Sequence, residues 1–103
     1  MSATYDLEGR LTEVASTYAS LTTTSAELVA ENSRRNYLLF ENDSDIPVYI
    51  RLSSVAAVAH EGIRLSASGG SYEVSGRVGN LYTGAVTGIS TTAGKILLIV
   101  EGI

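Results

Sequence analysis

Apolar and other residues alternate along residues 46–52, and the preceding segment shows a matching alternation. The apolar positions of the later segment are Ile46, Val48, Ile50 and Leu52, with Pro47, Tyr49 and Arg51 between them. In the earlier segment Leu38 and Phe40 share one face, and Tyr37, Leu39 and Glu41 share the other. A period of two predicts β-strands with one apolar face each. The Asn, Asp and Ser residues between the segments are typical of a turn, so residues 36–52 are predicted to form a β-hairpin.

The rest of the chain from residue 26 onward repeats this pattern on a short scale. Strands are predicted at residues 26–30, 62–65, 71–75, 81–90 and 95–101, and turns at 32–35, 68–71, 76–80 and 93–95. Regularly spaced short strands separated by Gly-, Asn- and Ser-rich turns indicate a sandwich or barrel. We therefore expect an all-β fold: a small antiparallel β-sandwich, or jelly-roll-like domain, over residues 26–103.

Three segments of this region depart from the simple pattern. Residues 53–60 lack a period of two, which favours either a helix of one or two turns or a crossing loop. Gly84 and Gly88 interrupt a predicted strand, which suggests bulges or the close approach of another backbone segment. Residues 96–100 are all apolar. A strand that is apolar on both faces lies in the middle of a sandwich or beneath another subunit.

Residues 1–25 differ from the remainder. Their apolar residues Leu7, Leu11, Val14, Tyr18 and Leu21 are three or four positions apart, as on one side of a helix. Residues 16–25 are nevertheless rich in Ser and Thr, which favour extended or capping conformations over helix interiors. We interpret residues 1–25 as an extended N-terminal arm or an edge strand, with a short amphipathic helix near residues 6–15 as the alternative.

Length, charge and cysteine content exclude several function classes. A chain of 103 residues has room for one domain. Its net charge of −4 argues against nucleic acid and anionic membrane partners, which attract clusters of Lys and Arg. The absence of Cys excludes disulfides, thiolate metal sites and cysteine nucleophiles. Neither a secretory signal nor a membrane-spanning run is recognisable, so we expect a protein made in the cytosol that stays soluble or joins an assembly there.

Each candidate for chemistry has a more ordinary structural interpretation. His60 is the single histidine, and as a general base it would need a nucleophile and an orienting carboxylate. Its neighbour Glu61 cannot orient it, because adjacent residues of an extended chain point to opposite faces. Residues 42–45 place oxygen ligands at alternate positions, as calcium loops do, but lack the Gly and the later Glu of such loops. The glycines at residues 69–70 and 76–79 do not open a helix and are not followed by Lys-Ser or Lys-Thr, so we expect turns and not phosphate loops.

The charged and aromatic residues suggest binding more than catalysis. Arg34 and Arg35 are expected to pair with carboxylates of this protein or of a partner. Tyr37, Tyr49 and Tyr72 are expected on one sheet face, where they could stack on sugars or fill an interface. No local pattern supports a pair of catalytic carboxylates. We expect no catalytic residue, no cofactor and no metal, and therefore a protein that is not an enzyme.

The order and spacing of several motifs resemble small β-sandwich virion proteins of tailed bacteriophages, of the capsid decoration (cement) or head-fibre type. The similarity extends over residues 26–102 and leaves residues 1–25 outside. It is carried by Leu28-Val-Ala-Glu-Asn-Ser-Arg-Arg-Asn-Tyr-Leu-Leu-Phe-Glu-Asn-Asp-Ser, Ile46-Pro-Val-Tyr-Ile, Gly62-Ile-Arg-Leu, Gly69-Gly-Ser-Tyr-Glu-Val, Tyr82-Thr-Gly-Ala-Val-Thr-Gly-Ile-Ser and Val100-Glu-Gly. The shared positions are structural and imply no functional residues.

The resemblance implies a capsid decoration protein that binds the outer surface of an assembled phage head and stabilises the shell. Its partners would be the major capsid protein and further copies of itself, with a trimer favoured and a dimer second. It would be assembled in the host cytoplasm and reside on the capsid surface of the virion. A tail, neck or head-fibre component is the first alternative, and a carbohydrate-binding module or lysis-related enzyme the second.

Overall fold

The computed structural model describes residues 13–103, and these form eight β-strands and no helix. The strands are β1 (Val14–Leu21), β2 (Ala26–Val29), β3 (Tyr37–Asn42), β4 (Val48–Arg51), β5 (Ile63–Leu65), β6 (Ser71–Ser75), β7 (Val86–Ser90) and β8 (Lys95–Gly102). Within this part of the chain there is accordingly no helix long and apolar enough to cross a membrane.

The strands form two antiparallel sheets of four strands each. Sheet A has the order β1-β8-β3-β6, and sheet B has the order β2-β7-β4-β5. Among the described strands, β4 and β5 are the only consecutive strands that pair with each other. Every other connection crosses from one sheet to the other. This order of two interleaved four-stranded sheets is that of a jelly roll, and the expected β-sandwich is confirmed.

The core lies between the sheets and is built from the inward-facing position of each strand. Val48 and Ile50 of β4 are fully buried, as are Leu38 and Phe40 of β3. The same cluster contains Leu21, Leu65, Val74, Val86, Leu97 and Ile99. The apolar faces predicted from the alternation are therefore confirmed for residues 37–41 and for Val48, Ile50 and Leu52, whereas Ile46 precedes β4 and is not part of the core cluster. A β-sandwich core made this way leaves the alternate positions of each strand on the outer faces.

The predicted hairpin of residues 36–52 is wrong, because β3 and β4 lie in opposite sheets. β3 is paired with β6 and β8, whereas β4 is paired with β5 and β7. The chain between them crosses the edge of the sandwich, and Asn42 holds this crossing. The buried amide nitrogen of Asn42 donates to the carbonyl oxygens of Ile46 (2.8 Å), Leu65 (3.1 Å) and Ser66 (3.1 Å). Alternation reveals which face of a strand is apolar, but not which strand it pairs with.

Residues 81–85 are not part of a strand, although a strand over 81–90 is predicted. β7 begins only at Val86. The carbonyl oxygens of Tyr82 and Gly84 accept hydrogen bonds from the Arg35 side chain at 3.1 and 2.8 Å, in place of a neighbouring strand. The close neighbour of Gly88 is a side chain and not the predicted backbone segment, because a Cβ atom at Gly88 would lie 2.7 Å from Leu28 Cδ1.

Residues 52–62 form a loop without helix or strand, which is the crossing-loop alternative for residues 53–60. The loop folds over the outer face of sheet B. Ala57 is buried there with Tyr49 and Ile89. The amide nitrogen of Ala57 donates to Ser25 Oγ at 2.7 Å, and Thr87 Oγ1 donates to the carbonyl oxygen of Val55 at 2.8 Å.

The predicted boundary at residue 25 falls between β1 and β2. β1 is an edge strand of sheet A, in register with β8 along its whole length, and its last residue, Leu21, lies in the core. Residues 1–12 of the predicted arm, and most of the alternative helix at residues 6–15, lie outside the described residues.

Candidate interaction surface

The outer face of sheet A carries a continuous group of apolar side chains, here called the apolar face. Strand register brings these side chains together. Tyr18 of β1 lies opposite Leu98 of β8, and Val100 of β8 lies opposite Leu39 of β3. The apolar face consists of Val14, Tyr18, Tyr37, Leu39, Ile96, Leu98 and Val100.

Three members of the apolar face are well exposed to solvent. The exposed fraction is 69% for Tyr18, 56% for Val14 and 37% for Leu98. The other four are half-buried by their neighbours in the sheet. Large apolar residues scattered singly over a surface are ordinary, whereas a contiguous group across three strands is typical of an interaction site.

The two outer faces of the sandwich differ in whether a loop covers them. The loop of residues 52–62 covers the outer face of sheet B and buries Tyr49 and Ile89. Among residues 13–103 no corresponding segment covers the outer face of sheet A. The five apolar positions 96–100 predicted a strand covered on both faces. The core covers Leu97 and Ile99, whereas Leu98 on the other side of the strand is exposed in residues 13–103.

Strand β1 provides a second unusual feature, since within residues 13–103 it forms a long edge of sheet A that no other strand covers. Sheet edges expose unpaired backbone groups, and proteins usually protect them with charges, proline, bulges or short length. β2 has Glu27 and a bulge between Glu27 and Val29, β5 has three residues including Arg64, and β6 carries Glu73. The eight residues of β1, Val-Ala-Ser-Thr-Tyr-Ala-Ser-Leu, contain no charge and no proline, and their register with β8 is unbroken.

Hydrogen-bond geometry identifies the backbone groups on this edge. Glu13 and Ile103 exchange both of their backbone hydrogen bonds, at 3.2 and 2.9 Å. Because such pairs alternate along an antiparallel ladder, the odd-numbered residues of β1 bond to β8. The even-numbered residues point their N–H and C=O groups away from β8. These residues, here called the β1 edge, are Val14, Ser16, Tyr18 and Ser20.

Glu41 and Glu73 form an acidic rim at the β3 and β6 side of the apolar face, and Glu73 affects the ionisation of one tyrosine. Tyr37 lies at the β3 side of the face, near Glu73 of β6. Burial raises the pKa of the Tyr37 hydroxyl above its usual value, and a hydrogen bond to the Glu73 carboxylate and the charge of that carboxylate raise the pKa further. The raised pKa keeps the Tyr37 hydroxyl protonated to a higher pH than that of an ordinary tyrosine.

The three tyrosines expected on one sheet face lie on three different surfaces, so this expectation is wrong. Tyr37 belongs to the apolar face, Tyr49 is covered by the loop of residues 52–62, and Tyr72 faces inward opposite Phe40. The physical reason is again the crossing between β3 and β4, which puts Tyr37 and Tyr49 on opposite outer faces. A sugar-stacking platform of these three rings is therefore not formed.

His60 has a structural environment in the loop that covers sheet B. Its Nδ1 lies 2.9 Å from the Tyr49 hydroxyl, and the two rings are 5.0 Å apart between centroids. The contact helps to close the loop over Tyr49. Within residues 13–103 no group of three or more His, Asp or Glu residues is placed to hold a metal ion.

The remaining candidate loops are structural elements. Residues 42–45 form the crossing held by Asn42, where Ser44 Oγ donates to Asn42 Oδ1 at 2.7 Å and Asp45 accepts from Lys95 at 2.8 Å. Residues 67–69 and 76–79 are turns, as predicted. Ser68 and Gly69 have φ angles of 59° and 113° in the first of these turns.

The prediction that Arg34 and Arg35 pair with carboxylates is confirmed for Arg35. This side chain is buried, and its Nε donates to Glu101 at 2.8 Å. The carbonyl oxygens of Ala30, Tyr82 and Gly84 accept from the rest of the guanidinium at 2.7–3.1 Å. Arg35 thereby fastens three segments of the chain at one end of the sandwich, while Arg34 is exposed.

Comparison with known proteins identifies a related fold. No protein-family model matches the chain, and no curated protein matches it in sequence. A solved structure of a Bacillus endospore appendage protein, described as one of a novel family of disulfide-linked pili, matches with a TM-score of 0.55 and 19% sequence identity. The match covers 87% of this chain and 84% of the appendage chain. At this identity the likeness shows the fold alone. The resemblance to phage virion proteins stays a prediction.

Proposed function

We propose that this protein is a non-enzymatic structural component of a large assembly, and specifically a decoration protein on the outer surface of a bacteriophage capsid. The observation that carries the proposal is the apolar face of sheet A, which is uncovered within the described residues while the opposite face is closed by its own loop. Docking this face on a capsid would remove apolar surface from water. The proposed partners are the major capsid protein and further copies of this chain.

The mechanism would be mechanical. A module that binds the assembled shell and not its free subunits stabilises the shell by mass action. A stable interface buries roughly 1,200–2,000 Å² in total, and repetition of the contact over the shell adds avidity. The module would seat its apolar face on the junction of neighbouring capsid subunits, with the rim residues Glu41 and Glu73 at the wet border of the contact.

A tail, neck or fibre component of the same particle is the second candidate, and the β1 edge favours it. An unprotected edge can accept one strand from a neighbouring subunit. The matched appendage protein is described as part of disulfide-linked pili. Since this chain has no Cys, any fibre that it forms would be held by noncovalent contacts. The carbohydrate-binding alternative loses its basis, because Tyr37, Tyr49 and Tyr72 do not share a surface.

The proposal is tested on particles. Cells that express the gene in its native genome are lysed, high-mass particles are isolated on a density gradient, and copies of this chain per particle are counted by quantitative mass spectrometry. Hundreds of copies support decoration, and a handful of copies supports the tail, neck or fibre alternative. Absence from every high-mass fraction would overturn both.

A matched pair of variants tests the docking face. Leu98→Glu places a charge in the middle of the apolar face, and we expect the folded variant to be lost from the particles. Val55→Glu alters a residue that is more exposed than Leu98 (55% against 37%) and lies on the opposite side of the sandwich. This variant should be incorporated like the wild type. Equal incorporation of both variants would contradict the assignment of the face.

A further inference from the structure

The β1 edge has a feature that the apolar face does not explain: its sequence is complementary to itself in an antiparallel pair. We propose that two copies of this chain pair through β1 around a two-fold axis at Thr17, which joins their A sheets into one sheet of eight strands. This inference names a partner for the same sheet and therefore rests on the proposed assembly role. The dimer is nevertheless expected in the purified protein, without any particle.

The register follows from the backbone groups that are free to pair. The β1 edge offers N–H and C=O groups at Val14, Ser16, Tyr18 and Ser20. Two antiparallel strands exchange hydrogen bonds at facing residues of this set. All four residues are used in a single register, which places Val14 opposite Ser20 of the second copy and Ser16 opposite Tyr18 of the second copy. Thr17 then faces Thr17 of the second copy on the axis.

The side chains in this register are compatible with close contact. Thr17 and Ala15 are exposed in the single chain. Across the axis Thr17 meets Thr17 of the second copy, and Ala15 meets Ala19 of the second copy. Threonine pairs across antiparallel strands are favourable, whereas like charges directly opposite are unfavourable. The register brings no charged residue of Val14–Leu21 against another, because that strand has none.

Charge and surface continuity favour a second copy as the occupant. Each chain has a net charge of −4, so two copies repel each other least where the contact surface itself carries no charge. β1 is the edge without charge, while β2, β5 and β6 carry Glu27, Arg64 and Glu73. The pairing also sets the two Tyr18 side chains diagonally across the axis, each beside Leu98 of its own chain. The apolar faces of the two copies thus become one surface.

The two-fold pairing differs from the trimer that the sequence favours and matches its second choice, a dimer. Identical strands that pair antiparallel are related by a two-fold axis, which closes after two copies. Edge pairing at β1 therefore yields a dimer and cannot generate a three-fold ring by itself.

Charge variants at the axis test the inference in the purified full-length chain. Sedimentation velocity at about 100 µM should give a dimer for the wild type. Thr17→Lys and Thr17→Glu should each give a monomer, because like charges then face each other on the axis, and an equimolar mixture of the two variants should give a heterodimer. Thr17 is exposed in the single chain, so both variants are expected to fold; circular dichroism checks this.

A cysteine variant tests the register. Facing Cα atoms at a non-hydrogen-bonded antiparallel position lie about 4.5 Å apart, within the range of roughly 4.4–6.8 Å that a disulfide spans. Since the natural chain has no Cys, Thr17→Cys should give a disulfide-linked dimer in oxidised glutathione. Ser54→Cys, an exposed position in the loop over sheet B, should remain largely uncrosslinked.

Three results would overturn the inference: a monomeric or trimeric wild type, a dimer that persists in both charge variants, or equal crosslinking at positions 17 and 54. A monomer that is still found in hundreds of copies on particles would overturn the dimer and leave the proposed function standing. A dimer that is absent from all particles would overturn the proposed function and leave the dimer standing.

Discussion

The buried side chain of Arg35 holds three separate segments of the chain together. Its guanidinium joins Glu101 of β8 to carbonyl oxygens at residues 30, 82 and 84. A buried charge is tolerated because each of the three guanidinium nitrogens donates to an acceptor, and one of these acceptors is a carboxylate. The same geometry makes the residue hard to replace, since its removal takes the charged partner from Glu101, which keeps only the amide of Asn32 at 3.3 Å, and leaves three carbonyl oxygens without the guanidinium.

Replacing Arg35 with Met is expected to lower the free energy of unfolding by about 3–5 kcal/mol, the usual cost of breaking a buried ion pair from one side. Urea denaturation measures the loss. Arg34→Met provides the matched control at the exposed neighbouring position, where we expect a change within about 0.5 kcal/mol. Similar losses in the two variants would show that the guanidinium of Arg35 does not hold these segments together.

Tyr37 and Glu73 give the protein a pH dependence in the alkaline range. The pKa of Tyr37 is raised in the folded chain by burial first and by Glu73 second. A raised pKa means that the folded state holds the proton more firmly than the unfolded state. The stability contributed by Tyr37 is therefore complete below its unfolded pKa of about 10 and is lost as the pH rises through the folded pKa.

Absorbance titration of the phenolate measures this effect directly. The difference between wild type and Tyr37→Phe isolates Tyr37, and we expect its pKa above 10. Glu73→Gln should bring the pKa of Tyr37 closer to 10, because the carboxylate is removed while burial remains. A Tyr37 pKa that does not change in Glu73→Gln would separate the two residues and place the cause in burial alone.

At the level of the strands, the crossing between β3 and β4 determines the chemistry of both outer faces. The two strands supply neighbouring layers of the core, with Phe40 from sheet A and Val48 from sheet B in the same cluster. Their outward residues consequently lie on opposite sides of the molecule. A hairpin would have placed these residues on one side and merged two surfaces that the protein keeps apart.

Val48→Asp tests the assignment of the inner face of β4. Val48 is fully buried, and an unpaired carboxylate there would cost several kcal/mol, a large part of the total stability of about 5–15 kcal/mol for a domain of this kind. We expect no cooperative thermal transition for this variant. Val58→Asp, at an exposed valine in the loop over sheet B, should melt like the wild type. A soluble, cooperatively melting Val48→Asp would reverse the assigned faces.

For the molecule as a whole, sheet order predicts which backbone amides are protected from hydrogen exchange. The inner strands are β8 and β3 in sheet A, and β7 and β4 in sheet B. Amides in these inner strands are bonded on both sides and should exchange most slowly, whereas β5, a three-residue edge, should exchange early.

Exchange along β1 should alternate. In the monomeric Thr17→Lys variant, the odd-numbered amides are bonded to β8 and should be protected, while Ser16, Tyr18 and Ser20 should exchange quickly. In the wild-type dimer the even-numbered amides should become protected as well. NMR-detected exchange resolves the residues individually, and uniform protection along β1 in the variant would contradict the open edge.

The sequence by itself determined the fold class and the inner face of most strands. Alternation at residues 37–41 and 48–52 identified the inward face of each strand correctly, because an apolar face is a local property of a strand with a period of two. It did not show that Tyr49, on the outward face of β4, is buried by the loop of residues 52–62. Glycine- and serine-rich segments marked the turns at residues 67–69 and 76–79 for an equally local reason. The run of apolar residues 96–100 already indicated a strand with apolar side chains on both faces.

Only the tertiary structure decided which strands pair and which surfaces result. The partners of β3 and β4 depend on long-range backbone hydrogen bonds, which carry no signature in the pattern of side chains. The buried bonds of Arg35 at residues 82 and 84, the loop that closes over Tyr49, and the meeting of Tyr18 with Leu98 all join segments distant in sequence. The apolar face and the β1 edge therefore became visible only once the sheets were assembled.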